Sequence, residues 1–146
     1  MSGADELNWS RYRALREQWT HEDNLINHRI TWLILSQGLL LTAYCVLLQS
    51  STAPAAPSEA VRLVQWVPWA GIGLSVAISV GIIAAINAMD DVKDRYNSEF
   101  PSKPFPLFPD KSHIFSGALP AKLLPLFFIG LWVVALVVNY TSRSGR

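Results

Sequence analysis

Histidine and carboxylate side chains are the residues of this chain best suited to bind a metal ion or move a proton. Glu17, His21 and His28 are spaced four and seven residues apart, which places them on one face of a helix. Two histidines and a glutamate are a ligand set that zinc accepts. The histidines, however, lie two helical turns apart, about 10.5 Å, so one ion could bridge them only with ligands from a neighbouring subunit. A solvated face, or one that hydrogen-bonds to another helix, is the commoner use of such a stripe.

A second group of polar residues follows the most glycine-rich part of the chain. Its members share one helical face: Asn87, Asp90, Asp91 and Asp94. Repeated around a ring of subunits, their carboxylates would draw cations to the mouth of a pore. The alternative is the end of a helix that leaves the membrane, with Lys93 and Arg95 as partners for the carboxylates.

The remaining polar residues indicate no catalytic or cofactor site. Gln37 and Tyr44 lie seven residues apart on one helical face, where they could line a pore or hydrogen-bond between helices. The sequence contains no glycine-rich phosphate loop and no HExxH, CxxC or GxSxG motif. Cys45 is the single cysteine, which excludes an intramolecular disulfide. We therefore predict neither an enzyme nor a bound cofactor.

The elements that carry these residues follow from composition. Of the 146 residues, 51% are hydrophobic and 16% are charged, with a net charge of +1. A soluble domain carries about 25% charged residues, and a nucleic-acid-binding protein needs a clustered basic face, so neither class is expected. The charge-free residues fall into three blocks, 30–49, 65–89 and 123–140, each close to the roughly 20 residues that cross a bilayer. The sequence predicts an all-α membrane protein with three transmembrane helices.

Residues 1–29 are predicted to be a cytoplasmic amphipathic helix that precedes a three-span domain, residues 30–146. One face is apolar, with Tyr12, Leu15, Trp19, Ile26 and Leu33, and the opposite face is polar, with Arg13, Glu17, His21, Asn24, His28 and Thr31. Since no helix breaker separates this segment from the first block, we expect one helix from about Asp5 to Gln49. The alternative is a helix that lies on the bilayer surface, with its arginines at the headgroups.

The flanking charges predict the orientation. Nine of the twelve Lys and Arg residues lie before the first block or between the second and third. Because positively charged flanks stay in the cytoplasm, we expect a cytoplasmic N-terminus and a periplasmic C-terminus in a bacterial inner membrane. Aromatic residues near the block ends fit headgroup depth: Trp32, Trp66, Trp69 and Tyr140.

The second block is rich in small residues, which let helix backbones approach closely in lipid. They form two ladders, Gly73, Ala77, Gly81 and Ala85 on one face and Gly71, Ser75 and Ser79 on another. Two such faces indicate two neighbours, one of them a second copy of the chain. The alternative is a monomeric, closely packed bundle. The third block is expected to face lipid, with Phe127, Phe128, Leu131, Trp132, Leu136 and Val137.

The connector between the second and third blocks, residues 90–122, contains the run FPSKPFPLFP, Phe100 to Pro109. Its four prolines exclude a regular helix. Extended chain docked on the cytoplasmic side of the protein is one interpretation, and recruitment of a partner protein is the other. The segment after it, with His113 and Gly117, could form a short re-entry helix.

Two stretches carry a resemblance to known proteins. HEDNLINHRITWLILSQGLLLTAY, His21 to Tyr44, resembles the opening of a group of small, uncharacterised bacterial inner-membrane proteins, and GALPAKLLPLFFIGLW, Gly117 to Trp132, resembles their last span. The polar helix that runs into a first span at His28, Arg29 and Trp32 is also similar to the architecture of the RipA-type small membrane proteins, which assemble as octameric rings. This resemblance implies a ring-like oligomer and assigns no site residues.

The sequence thus predicts a homo-oligomeric inner-membrane assembly that could enclose a pore with a cytoplasmic mouth. The alternative is a non-conducting membrane anchor or accessory subunit that recruits a cytoplasmic protein. Its expected partners are other copies of itself, membrane lipid and such a protein, and no nucleic acid.

Overall fold

The computed structural model describes residues 3–51, 58–100 and 111–144, with side chains for 6–51, 58–100 and 119–141. Three helices account for these residues apart from Phe100: α1 (Gly3–Ser51), α2 (Ser58–Glu99) and α3 (Lys111–Ser144). All three are long and apolar enough to cross a membrane. The prediction of an all-α membrane protein is confirmed.

Helix α1 joins the polar N-terminal segment and the first apolar block without a break. At about 1.5 Å per residue, its 49 residues extend about 74 Å, whereas the hydrocarbon core of a bilayer is about 30 Å thick. A large part of α1 therefore has to lie outside the hydrocarbon. The expected continuity of this helix is confirmed.

Helices α1 and α2 form a long antiparallel pair. Near the N-terminus of α1, Tyr12 clusters with Tyr96 and Phe100 at the end of α2. Farther along α1, Ile26 packs with Ile82 and Ala85. This antiparallel pairing of α1 with α2 continues along α1 to the middle of the first apolar block.

Helix α3 completes the bundle and runs parallel to α1. Trp132 bonds to Gln37 and Asn139 to Tyr44, and in both pairs the residues are 95 positions apart. Because the sequence separation is the same for both pairs, residue numbers increase together along the two helices, and α3 runs in the same direction as α1. Against α2, α3 is antiparallel, with Ala121 beside Ile82 and Ala85 and Trp132 beside Gly71.

The proposed faces of α1 are confirmed. Tyr12, Ile26 and Leu33 are buried against the other helices, whereas the polar stripe from Arg13 to Thr31 is exposed. Between 11% and 22% of the residues in the most apolar window of each helix are buried. The rest of that apolar surface faces outward, as expected for helices in contact with lipid.

The bounds of α2 and α3 differ from the predicted connector. Helix α2 continues through the acidic residues to Glu99, and α3 begins at Lys111 rather than at the third apolar block. The segment after the prolines is therefore continuous with the third span and is not a separate re-entry helix. Residues 101–110, which hold most of the proline-rich run and its predicted docking, lie outside the described residues.

Candidate functional site

A cluster of neutral polar side chains lies in the interior of the bundle. Gln37 Nε2 donates to the Gly71 carbonyl oxygen at 3.1 Å and to Ser75 Oγ at 3.0 Å. Trp132 Nε1 donates to Gln37 Oε1 at 2.6 Å, and Ser75 Oγ donates to the Gly71 carbonyl at 2.9 Å. Gln37, Ser75 and Trp132 have no exposed surface, so this interior cluster joins all three helices where water is excluded.

Side-chain size explains how the interior cluster forms. Gln37 follows Leu33 on the buried face of α1, and Gly71 and Ser75 on α2 leave room for its amide. Gly71 also lies directly beneath the indole of Trp132, since a Cβ atom there would be 2.7 Å from Trp132 Cδ1. A glycine at position 71 is therefore required for α3 to approach α2 this closely.

The chemistry of the interior cluster is that of a helix-to-helix contact. Both Nε2 hydrogens of Gln37 have acceptors, and its Oε1 has a donor. None of its members ionises near neutral pH, and Ser75 has no histidine or carboxylate as a hydrogen-bond partner among the described residues. The cluster can stabilise the bundle, and it supplies no general base or nucleophile.

A second polar contact lies nearer the C-terminal ends of α1 and α3. Tyr44 Oη donates to Asn139 Oδ1 at 3.1 Å, and the Tyr44 ring meets Trp132 edge-on at a centroid distance of 5.6 Å. The buried Nδ2 of Asn139 has no acceptor among the described residues. Tyr44 thereby links the second contact to the interior cluster.

Arg29 makes a part-buried charged contact between α1 and α2. Its guanidinium donates to the Gly81 carbonyl oxygen of α2. A Cβ atom at Gly81 would lie 3.2 Å from Arg29 Nε and 3.3 Å from its Cδ, so the glycine provides the space for this side chain. The contact places the start of the first apolar block opposite Gly81, and residues 82–89 of the second block lie beside the polar part of α1.

The predicted metal-binding candidates do not converge. Glu17, His21 and His28 are exposed along α1. In the part of the chain that the structure describes, no three His, Cys, Asp or Glu side chains are grouped so as to hold a metal ion.

The predicted pore residues occupy two different environments. Gln37 is fully buried within the chain, so it can line a passage between subunits only after a rearrangement of the bundle, whereas Tyr44 is half-buried. The four residues of the predicted cation mouth are exposed on the last part of α2: Asn87, Asp90, Asp91 and Asp94.

One of the two predicted ladders of small residues lies on a single side of α2, and the other is divided between two sides. Gly71, Ser75 and Ser79 lie toward the other helices of the chain, as do Gly81 and Ala85. Gly73 and Ala77 are exposed, and a Cβ atom at Gly73 would meet open space.

Two residues of the site were missed by sequence reasoning. Trp132 was expected to face lipid, but it is fully buried because its indole N–H bonds to Gln37. The sequence signal for this burial is the position of Trp132 near the middle of the third block, because a lipid-facing tryptophan is expected at headgroup depth. Arg29 contributes to the predicted orientation and to the resemblance at the start of the first span, and no local pattern indicates its contact with Gly81.

Comparisons with protein-family models, with curated proteins and with solved structures gave no significant match to this chain. The resemblance carried by His21 to Tyr44 and Gly117 to Trp132 therefore remains a prediction.

Proposed function

We propose that this protein is a membrane anchor whose α1–α2 hairpin binds a partner protein outside the membrane. The observation that carries the proposal is the extension of the paired helices beyond the first span. Residues 3–29 of α1 correspond to about 40 Å of helix, and α2 still packs against α1 near its end, at Tyr12, Tyr96 and Phe100. We call this part of the molecule, residues 6–28 and 90–100, the projecting hairpin.

The projecting hairpin presents a surface suited to a protein partner. Its outer side carries the exposed stripe of Arg13, Glu17, His21, Asn24 and His28. An exposed Trp9 stacks on Tyr12 at 5.2 Å and lies under the Arg13 guanidinium at 5.9 Å. Aromatic residues and arginine are enriched at protein interfaces.

The closed interior of the bundle favours a membrane anchor rather than a pore that runs through a single copy of the chain. The polar groups that could have lined a passage, those of Gln37 and Ser75, are bonded inside the bundle and have no exposed surface. A single copy therefore offers no polar route through its centre.

Site-specific photocrosslinking in cells tests this proposal. A photoreactive residue at His21, on the projecting hairpin, is expected to form one defined adduct with another protein. The same residue at Leu39, which is exposed on the apolar part of α1, serves as the control and should not form that adduct. Equal labelling of many proteins from both positions would contradict the proposal.

Self-association is the second candidate function, and the exposed part of α2 favours it. Ala70, Gly73, Ala77 and Ala84 are exposed along one side of this helix, and small residues permit close helix contacts in lipid. Copies joined there would bring the Asp90, Asp91 and Asp94 carboxylates of several chains together, as a pore with a cytoplasmic mouth requires.

The mass of the assembly and its electrical conductance distinguish the anchor from the homo-oligomeric pore. A homo-oligomeric pore predicts a defined multimer in nanodiscs and unitary currents in planar bilayers. An anchor that acts as a single copy predicts a monomer and no current. A multimer without current would support self-association and contradict the pore.

A further inference from the structure

An open groove of about 390 Å³ lies between α2 and α3. Its lining is largely apolar, with Ile82, Ile86, Pro125 and Leu126, and also includes Asn87 and Lys122. The groove exists because Ala121 and Pro125, the α3 residues that face α2 here, have short side chains. Its volume lies within the range of about 300–1,000 Å³ that is typical of ligand sites.

Asn87 and Lys122 lie at one end of the groove, whereas Ser79, toward the other end, donates its hydroxyl to the Ser75 carbonyl oxygen of its own helix. Because α2 and α3 are antiparallel, Asn87 on α2 and Lys122 on α3 both lie toward the end of the groove that is farther from the Gln37–Trp132 contact. Farther along α3 the groove is lined by the apolar side chains of Pro125, which is buried, and Leu126, which is 60% exposed. A molecule that fits this site has a polar, negatively charged head and a hydrocarbon tail.

Lys122 lies at the depth of a lipid headgroup. It directly precedes the charge-free third block, 123–140, and its neighbour Ala121 packs beside Ile82. Arg29, the last charge before the first block, bonds to Gly81, the residue next to Ile82. Two basic residues from different helices thus lie at one level, where the charge-free segments of α1 and α3 begin.

The ammonium group of Lys122 is available for a ligand. Lys122 is exposed, and no described carboxylate forms an ion pair with it. A lysine ammonium binds phosphate as a point charge, and the Asn87 amide can donate a further hydrogen bond. Basic pockets between transmembrane helices are recognised sites for anionic headgroups.

We propose that this groove binds an anionic glycerophospholipid, with its phosphate on Lys122 and Asn87 and one acyl chain along Ile82, Pro125 and Leu126. The site is independent of whether the projecting hairpin binds a protein. It requires only that the three helices lie in a bilayer.

Native mass spectrometry tests the proposal on the full chain, released from nanodiscs that contain equal amounts of phosphatidylglycerol and phosphatidylcholine. The wild-type protein is expected to retain more phosphatidylglycerol than phosphatidylcholine. Lys122→Gln should reduce that preference about fivefold, the factor expected for one lysine at a membrane surface. Lys93→Gln makes the same charge change on α2 outside the groove and should leave the preference unchanged.

A second pair of variants tests the groove from its other wall. Asn87→Asp places a negative charge beside the proposed phosphate and should also lower phosphatidylglycerol retention. Asn97→Asp, at an exposed position farther along α2, is the matched control. Circular dichroism establishes that each variant keeps its helix content, so that a change in retention reports binding.

Four results would overturn the proposal. The first is equal retention of both lipids by the wild-type protein. The second is an equal loss of preference in the groove variants and in their controls, which would indicate a general surface charge effect. The third is a dimer that retains no lipid, which would mean that a second copy covers the groove. Displacement of the lipid by millimolar inorganic phosphate would likewise show that the acyl chain contributes no binding.

Discussion

Gln37 forms hydrogen bonds with three residues on two other helices, whereas most hydroxyl side chains of the bundle bond only to their own helix. Ser36 and Thr42, for example, donate to the carbonyls of Trp32 and Gly38, four residues earlier. A hydroxyl can satisfy its donor locally in this way, so it can face lipid. The amide of Gln37 has two donors and an acceptor, which its own helix does not satisfy, and its burial follows from that difference.

Trp132→Phe tests the role of the indole N–H. The substitution keeps an aromatic ring and leaves Gln37 Oε1 buried without its donor, so we expect the free energy of unfolding in bicelles to fall by about 1–2 kcal/mol. Trp66→Phe is the control, because Trp66 is 66% exposed, and it should change stability by less than about 0.5 kcal/mol. Equal effects of the two substitutions would contradict the proposed hydrogen bond.

Gly71→Ala tests the close approach of α2 and α3. The added methyl group would overlap the Trp132 ring, and overpacking of this kind costs about 1–3 kcal/mol. Gly73→Ala, two residues away in open space, should be neutral or stabilising by up to about 1 kcal/mol, since alanine favours helix more than glycine. Thermal unfolding in one detergent measures both, and a loss confined to Gly73→Ala would disprove the packing argument.

Each helix combines a segment suited to lipid with a segment suited to packing or solvent. Helix α1 passes from its polar stripe to the first apolar block without interruption, and α2 passes from its second block to the acidic residues in the same way. The two blocks are staggered, because Arg29 lies opposite Gly81 and not opposite the end of the second block. The extra apolar residues of α2, 82–89, cover Ile26 and its neighbours on α1.

The projecting hairpin is stabilised near its end by Tyr12, Tyr96 and Phe100. We expect Tyr96→Ala to release the N-terminal part of α1 from α2 and leave the spans intact. Amide hydrogen exchange in residues 6–20 should accelerate about tenfold, which corresponds to a loss of about 1.4 kcal/mol. Exchange in residues 33–45 should be unchanged, and Tyr140→Ala, at an exposed tyrosine, should affect neither segment. Uniform acceleration along α1 would mean that the hairpin is not a separate unit.

The described residues form a three-helix bundle with most of its apolar surface turned outward. The parallel arrangement of α1 and α3 places the start of α1 and the end of α3 at opposite ends of the bundle. Of the basic side chains that the structure describes, all but Arg62 lie at the end where α1 begins. A bilayer around the apolar segments would therefore separate the two ends and orient the bundle by charge.

Reporter fusions test this orientation. A reporter active only in the cytoplasm should be active at the N-terminus and inactive at the C-terminus, and a reporter active only in the periplasm should show the reverse. Moving basic residues to the opposite side, with Ser58→Arg and Glu59→Arg combined with Lys93→Gln and Arg95→Gln, should increase the inverted fraction. Activity of the cytoplasmic reporter at both ends of the wild-type chain would contradict an odd number of spans.

The sequence alone was sufficient for the helices and for the faces of α1, because both depend on local properties. Charge-free runs indicate spans, the absence of a breaker indicates a continuous α1, and helical spacing identifies Tyr12, Ile26 and Leu33 as buried. Local properties do not distinguish a protein-facing side from a lipid-facing side within a span, since both are apolar. For this reason the burial of Trp132, the inward direction of Gly71 and the partner of Arg29 were decided only by the tertiary structure, which brings together residues 52 and 95 positions apart in sequence.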